Sequence, residues 1–463
     1  MSEECSKPDQ VGNQSLTGIA ARRLKQISAG EFSTEVREKV SLCLLDFLGA
    51  ANSGLSNPLS QPLLRFAELH TGKPEAYVFG SDHAMCAETA AFTNAVHAHV
   101  VARDDMHLES CAHMGSMVVA ASLALAQRDQ WSGEQLVRAL VGGYEMGALL
   151  GTVIRGGGTF NTHFRASGLI GAFAAAGAAC SADFIDEDTV VSALALAVNM
   201  ASGINEWAWT GGTEIFIHIG IASRAGITSY DLARVGVVAS DTVLEGKDGF
   251  FEALGVGPTG ADRFKRWIGA SQIGTGILDV RFKPAACCNF TQTSSAIASK
   301  IRRVHIPEDV ESIKITTTSA AITYPGCDNA GPLQSASQGK LSIQYGVCAA
   351  LVFGRLDEHT FGRIDDETVN SLMGKCTLLT DPDYDKSYDK GLQPARVEVF
   401  LKGGTVSQNA APDVPWLNGE EVRARFLDEL SSLVSKDRGK DMLYQCQKLE
   451  GVSVRDGLFN FSI

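Results

Sequence analysis

What this 463-residue chain lacks narrows its function first. No two of its eleven cysteines are spaced as CxxC; their separations are irregular apart from the adjacent Cys287 and Cys288. In a chain this long such spacing reads as reduced thiols rather than a disulfide framework, so an intracellular, cytoplasmic protein is expected. Charge is sparse at 20% of residues and unbalanced, 53 acidic against 40 basic side chains, a formal net charge of -13. No Lys/Arg run carries the aromatic interleaving of a nucleic-acid surface, so no nucleic-acid partner is expected. No run of eighteen apolar residues is present, and the opening MSEECSKPDQVGNQS has neither an apolar stretch nor an Arg-rich amphipathic pattern. Neither a membrane partner nor a targeting signal is expected from that. HExxH is absent, and Gly156-Gly157-Gly158 lacks the Lys-Ser/Thr of a phosphate loop, which leaves it a plain loop.

What is present is apolar and small. Hydrophobic residues make up 45% of the chain and glycine 47 positions, the composition of a compact protein built from closely packed helices. The length exceeds one core, so two or three domains are expected. Residues 1–15 read as a disordered tail. From 16 to 272 the apolar period is helical, notably over Ser41–Ala51, Glu134–Leu150, Ala166–Ala179, Thr189–Met200 and Ile219–Leu232. Between 273 and 408 β-branched runs appear, VESIKITT at Val310–Thr317 and ARVEVFL at Ala395–Leu401, the second followed by a turn at Lys402-Gly403-Gly404-Thr405 and a further strand from Val406. Residues 409–463 turn helical again (Glu420–Ser435, Asp441–Leu449), either capping the second domain or returning to the first. The fold class expected is mainly α: a large all-helical domain with a smaller α+β lid.

The densest chemistry lies in NAVHAHVVARDDMHLESCAHMG, where Asp104, Asp105, His107, Glu109 and His113 share one short turn. Helical-period apolar residues flank it, Val96, Val100 and Val101 before and Val118, Val119, Leu123 and Leu125 after. Three readings fit the turn: aspartates capping the next helix, a metal site, or an acid/base cluster held between two rigid elements.

That segment, together with FNTHFRASGLIGAFAAAGAA, IFIHIGIASRAG with LEGKDGFFEALG after it, FKPAACCNFTQT and GKLSIQYGVCAAL, resembles the MmgE/PrpD family in content and order. The resemblance spans residues 16 to 463. It implies a helical domain with an α+β lid, a homodimer, and proton transfer beside a carboxylate without metal or organic cofactor. Carried over by position, it makes His113, His163 and Lys283 catalytic, with Asp104 orienting a histidine. Asp105, His107 and Tyr324 become substrate contacts.

The departures from the family pattern carry information too. Ala102 stands where the family has an acid and Met106 where it has a hydroxyl residue. Ile215 replaces a lysine, and Gln292 a later histidine. A buried cation lost opposite a substrate carboxylate costs on the order of 2 to 5 kcal/mol. With Trp207 and Trp209 nearby, the expected pocket is more apolar and less cationic than a tricarboxylate site, taking a small carboxylate or carbonyl substrate. The expected activity is a cofactor-independent lyase, a decarboxylase or dehydratase. An isomerase or epimerase of a secondary pathway, using His113 and His163 on opposite faces of an acidic C–H, and a non-catalytic family member are the alternatives.

Overall fold

The computed structural model describes residues 15–156, 163–302, 309–404, 406–431 and 434–451. The expected tail at 1–15 lies outside these except for its last residue, and so does most of the Gly156–Gly158 loop.

Two buried apolar clusters organise the described chain. The first is helical, running from Leu16 to Phe282, and gathers Val422, Phe426, Leu430, Met442 and Cys446 from the C-terminal helices. Those helices, Gly419–Leu430 and Lys436–Gln447, therefore return to the helical domain. They are separate because each has its own N-cap, Asn418 in a capping box with Glu421, then Ser435. The helix expected through Ser435 stops at Leu430.

Small residues set the packing at the centre. Helix Ala166–Ala182 is buried along its whole length, and helices Gly133–Arg155 and Glu214–Arg234 close on it. A Cβ at Gly226 would lie 2.3 Å from the Cβ of Ala175, and one at Gly143 2.5 Å from Val118 Cγ1. Such approach distances exclude any side chain at these two positions. Gly133–Arg155 is long and apolar enough to cross a membrane, but 89% of its most apolar window is buried inside the fold.

The second cluster spans Ala286 to Leu401. Its sheet has the order Cys376–Thr380, Val310–Thr317, Ala395–Leu401, Val406–Ala411, with the first pair parallel and the others antiparallel. Burial along Ala395–Leu401 alternates strictly, as a strand with one face on a core requires. Helices Gln292–Arg302 and Ile343–Phe353 cover that face. Ile277, Val280 and Phe282 belong to the first cluster, so the passage between the two cores falls at 283–285 rather than at 273. Strand Val280–Arg281 reinforces this by pairing with Met106–His107 in the polar turn.

Candidate active site

The polar turn joins helices Ala87–Val100 and Met114–Arg128, both almost wholly buried. Between them Ala102 takes a left-handed φ of 54°, uncommon for a residue with a Cβ. Its carbonyl accepts a hydrogen bond from Lys283 Nζ at 2.8 Å, across the two cores. The cavity that results occupies about 620 Å³ including its mouth. His99, His113, Arg165 and Ile215 face it from the helical side, and Cys288, Tyr324 and Lys340 from the lid, with Lys283 at the junction.

Asp104 anchors the chemistry. One oxygen receives the Ser116 hydroxyl at 2.6 Å and lies 2.7 Å from His99 Nδ1; the other is 3.4 Å from His113 Nδ1. Burial pushes this carboxyl up, but His99, His113 and Lys283 together outweigh burial and hold it ionised. His99 Nδ1 must then donate to the carboxylate, which leaves Nε2 as acceptor for Arg165 Nη2 at 2.5 Å. Burial holds His99 down to about 4, so the ring is neutral. The relay from Asp104 through His99 to Arg165 has one consistent set of protons.

His113 is arranged differently. Its Nδ1 lies 3.1 Å from the Asp105 carbonyl, which can only accept, so Nδ1 carries the proton. Nε2 has no hydrogen-bond partner among the described residues, and the side chain, 15% exposed, opens onto the cavity. Burial lowers its pKa well below the usual value; Asp104 opposes this, while Lys283, His99 and Arg165 add to it. In the resting protein His113 is a neutral imidazole with a free basic nitrogen.

The cation missing at Ile215 is present by another route. Arg165 Nη1 donates to the Ile215 backbone carbonyl, so a guanidinium stands beside the apolar side chain that replaces the family lysine. Lys283 and Arg165 are nearly fully buried and neither pairs directly with a carboxylate among the described residues. Lys340, also buried, is bound to Glu358 at 2.5 Å and to the Val100 carbonyl. The expected pocket with fewer cations is therefore corrected: the one absent at 215 is replaced from residue 165.

Other expected residues sit elsewhere. His163 is exposed in a turn, its carbonyl accepting from Asn205 N–H, and it does not line the cavity. Asp105 accepts Gly115 N–H at 2.8 Å and the Tyr144 hydroxyl at 2.5 Å, the helix-cap reading of the turn, and burial raises it to about 7. His107 is buried in the short strand against Ser110, its Nδ1 2.9 Å from the hydroxyl. Gln292 donates to the Ala285 and Cys287 carbonyls and shapes the loop behind the cavity. Trp207 lines the cavity, whereas Trp209 is 65% exposed. Tyr324 and Ile215 are both on the cavity wall.

His99, Arg165 and Lys340 were not anticipated. Each lies inside a segment that carries the resemblance, and the usable signal was an ionisable residue in an otherwise small-residue or apolar run.

As for metals, His99, Asp104 and His113 offer donor atoms within 4.8 Å of one another. His99 is already hydrogen-bonded to Asp104 and to Arg165, and the Arg165 and Lys283 cations beside the three donors oppose a dication.

A buried network supports the turn from behind. Arg103 bridges Asp46 at 3.1 Å and Glu429 at 2.5 Å, while Arg425 binds Asp46 and donates to the Lys283 carbonyl at 2.6 Å. The C-terminal helices thereby hold both Asp104's neighbour and Lys283 in place.

Sequence similarity to known proteins extends along nearly the whole chain. A cis-aconitate decarboxylase-like protein, oryM, from Aspergillus oryzae is 23% identical over 93% of this chain and 93% of its own length. Cis-aconitate decarboxylases of Aspergillus terreus and Homo sapiens are each 23% identical over 94% of the chain, covering 93% and 92% of their own lengths. Residues 20–260 match the MmgE/PrpD N-terminal domain and residues 285–424 the MmgE/PrpD C-terminal domain. With both domains matched in order around one cavity, the chain belongs to the MmgE/PrpD family.

Proposed function

We propose that this protein is a lyase that removes CO2 or water from a small carboxylate by proton transfer at the carbon beside the carboxylate. The observation that carries the reading is the His113 imidazole, its Nδ1–H tied to the Asp105 carbonyl and its bare Nε2 on a cavity that also holds Lys283 and Arg165.

The chemistry follows from charge. Loss of CO2, or of a proton before water leaves, places negative charge on the substrate carbon, delocalised into the adjoining carboxylate. Lys283 and Arg165 are fixed cations able to stabilise that charge where water is largely excluded. A bound carboxylate also offsets the repulsion those cations exert on a protonated His113, so the imidazole gains basicity when substrate arrives. In decarboxylation His113, having taken a proton from solvent as its basicity rises, protonates the carbanion; in dehydration the neutral ring removes the carbon-bound proton and the hydroxide leaves with a proton from the imidazolium or solvent as water.

Substrate charge is limited by the same groups. Asp104 offsets one of the two cations, and Lys340 is already paired with Glu358. The site thus favours a mono- or dicarboxylate over a tricarboxylate, with an apolar part against Trp207, Ile215, Phe216 and Phe290.

The test is incubation in D2O with cis-aconitate and a panel of unsaturated and hydroxylated mono- and dicarboxylates, read by mass and NMR. Loss of CO2 with one deuterium incorporated, or loss of water with the carbon-bound proton released to solvent and no deuterium in the product, supports the proposal. Deuterium exchange on an intact skeleton would instead identify an isomerase, and binding with neither exchange nor turnover a non-catalytic member.

A further inference from the structure

Two adjacent cysteines follow the junction lysine, and they face opposite ways. Cys287 is fully buried, its sulfur 3.2 Å from Gln292 Nε2. Cys288 is partly exposed and lines the cavity, with its Sγ 3.8 Å from Cys327 Sγ. Cys327 is fully buried.

Both backbones are fixed: Cys288 N–H donates to the Lys340 carbonyl at 2.7 Å, Cys327 N–H to the Tyr324 carbonyl, and the Cys327 carbonyl accepts from Ile343. Bonding distance lies about 2 Å closer than the present separation of the sulfurs.

We propose that Cys288 and Cys327 form a peroxide-sensitive dithiol in the cavity wall, Cys288 attacking a hydroperoxide and Cys327 resolving the product to a disulfide. The Cys288 thiolate attacks one peroxide oxygen; the S–O bond forms, the O–O bond breaks, and the departing oxygen takes a proton to leave as water or alcohol. The Cys327 sulfur then attacks the sulfenic acid, the S–S bond forms, and hydroxide leaves with the Cys327 proton as water. In sum two thiols are oxidised and one hydroperoxide is reduced, with water and water or alcohol released.

Position explains why Cys288 reacts first. It is the member of the pair that opens onto the cavity. Its thiolate is favoured by the Cys327 S–H, against burial, and further by Phe290 N–H, Lys283 and Arg165, which together hold its pKa down to about 7. A second thiol pair provides an internal comparison. Cys348 and Cys376 are closer, 3.4 Å apart; Cys348 is fully buried in the lid core, where burial and Cys376 raise its pKa, and Cys376 is partly exposed but does not line the cavity of Lys283 and Arg165. Proximity alone predicts that Cys348–Cys376 oxidises first; the Lys283 and Arg165 cations beside Cys288 predict Cys288–Cys327. Once formed, the disulfide would draw the Cys288 side chain off the cavity wall and tie the loop at Phe290 to the segment after Tyr324.

The experiment treats the full-length, reduced protein with a few equivalents of hydrogen peroxide, then maps unreduced peptides by mass spectrometry over time. The expected result is a Cys288–Cys327 crosslink, reversed by dithiothreitol, forming about fivefold faster than Cys348–Cys376, since greater thiolate content is partly offset by lower intrinsic nucleophilicity. In Cys327→Ser, dimedone should trap a sulfenic acid on Cys288, whereas Cys288→Ser should leave Cys327 unmodified and Cys348–Cys376 unaffected. If Cys327→Ser does not fold, the wild-type map and Cys288→Ser suffice. Prior oxidation of Cys348–Cys376, or modification of Cys86, a partly exposed thiol outside the cavity, while Cys288 stays reduced, overturns the proposal.

Discussion

His113 and Arg165 carry different parts of the proposed chemistry, and substitution separates them. His113→Ala removes the cavity-facing base but only one hydrogen bond to the turn, so turnover of the active carboxylate should fall about 10²- to 10⁴-fold with little change in melting temperature. Steady-state rates beside thermal unfolding check this; a variant that keeps wild-type turnover removes His113 from the mechanism. Arg165→Met should act chiefly on binding, raising KM by about 30-fold or more, as expected when one partner of a desolvated charge pair is deleted. An unchanged KM would place the carboxylate on Lys283 alone. The sequence points to His113 and Lys283 because each sits in a distinctive local run. It does not point to Arg165, whose meaning depends on lying 2.5 Å from His99, 66 positions away. Conversely His163 looks catalytic in sequence, yet its turn leaves the side chain exposed. Local pattern identifies residue types suited to chemistry, but direction into a cavity is set by tertiary packing.

Elements were legible where packing alternates and obscure where it does not. Val310–Thr317 and Ala395–Leu401 are strands with the expected bounds, the buried positions being Val, Ile and Thr in the first and alternate apolar residues, Ala395, Val397, Val399 and Leu401, in the second. The parallel edge strand Cys376–Thr380 has no buried residue and no apolar alternation, so nothing local distinguishes it from a loop. The polar turn belongs to this scale as well, since its two aspartates divide between structure and chemistry. Helix Met114–Arg128 has no side-chain cap from its own N-cap residue, His113, and Asp105 fills that role from nine residues before the helix. Asp105→Ala should therefore destabilise the protein by about 1–3 kcal/mol in urea unfolding at pH 6, by losing the cap and the acceptor of the Tyr144 hydroxyl. Asp105→Asn keeps an acceptor and should stay close to wild type in both stability and turnover. Stable but inactive Asn protein would assign the carboxyl to the reaction instead.

At the scale of the whole molecule, burying many histidines makes the fold sensitive to acid. His97, His99 and His107 are at most 2% exposed, and burial brings each down to about 4; His113 is lowered further, again chiefly by burial. In the unfolded chain these groups titrate near the ordinary value of about 6.5. Between roughly pH 6.5 and 4 the unfolded state therefore binds protons the native state does not, and stability falls as pH falls. Fully developed, His97, His99 and His107 each cost about 3 kcal/mol. Asp105 works in the opposite sense, because its folded value near 7 means the native state holds a proton the unfolded state has lost. Burial raises Glu145 and Glu429 in the same sense as Asp105, while His218, also lowered to about 4, joins the histidines; three carboxyls against five histidines do not reverse the slope. Urea midpoints should thus drop steeply from pH 7 to pH 5, and His97→Gln should flatten that drop. His97 is the cleanest choice, since it lies outside the cavity and its Nε2 contacts only the Ser60 hydroxyl. Midpoints that stay level over this range, or a His97→Gln slope equal to wild type, would show that the histidines take up protons in the folded protein, and the neutral resting state assigned to His113 would lose its basis.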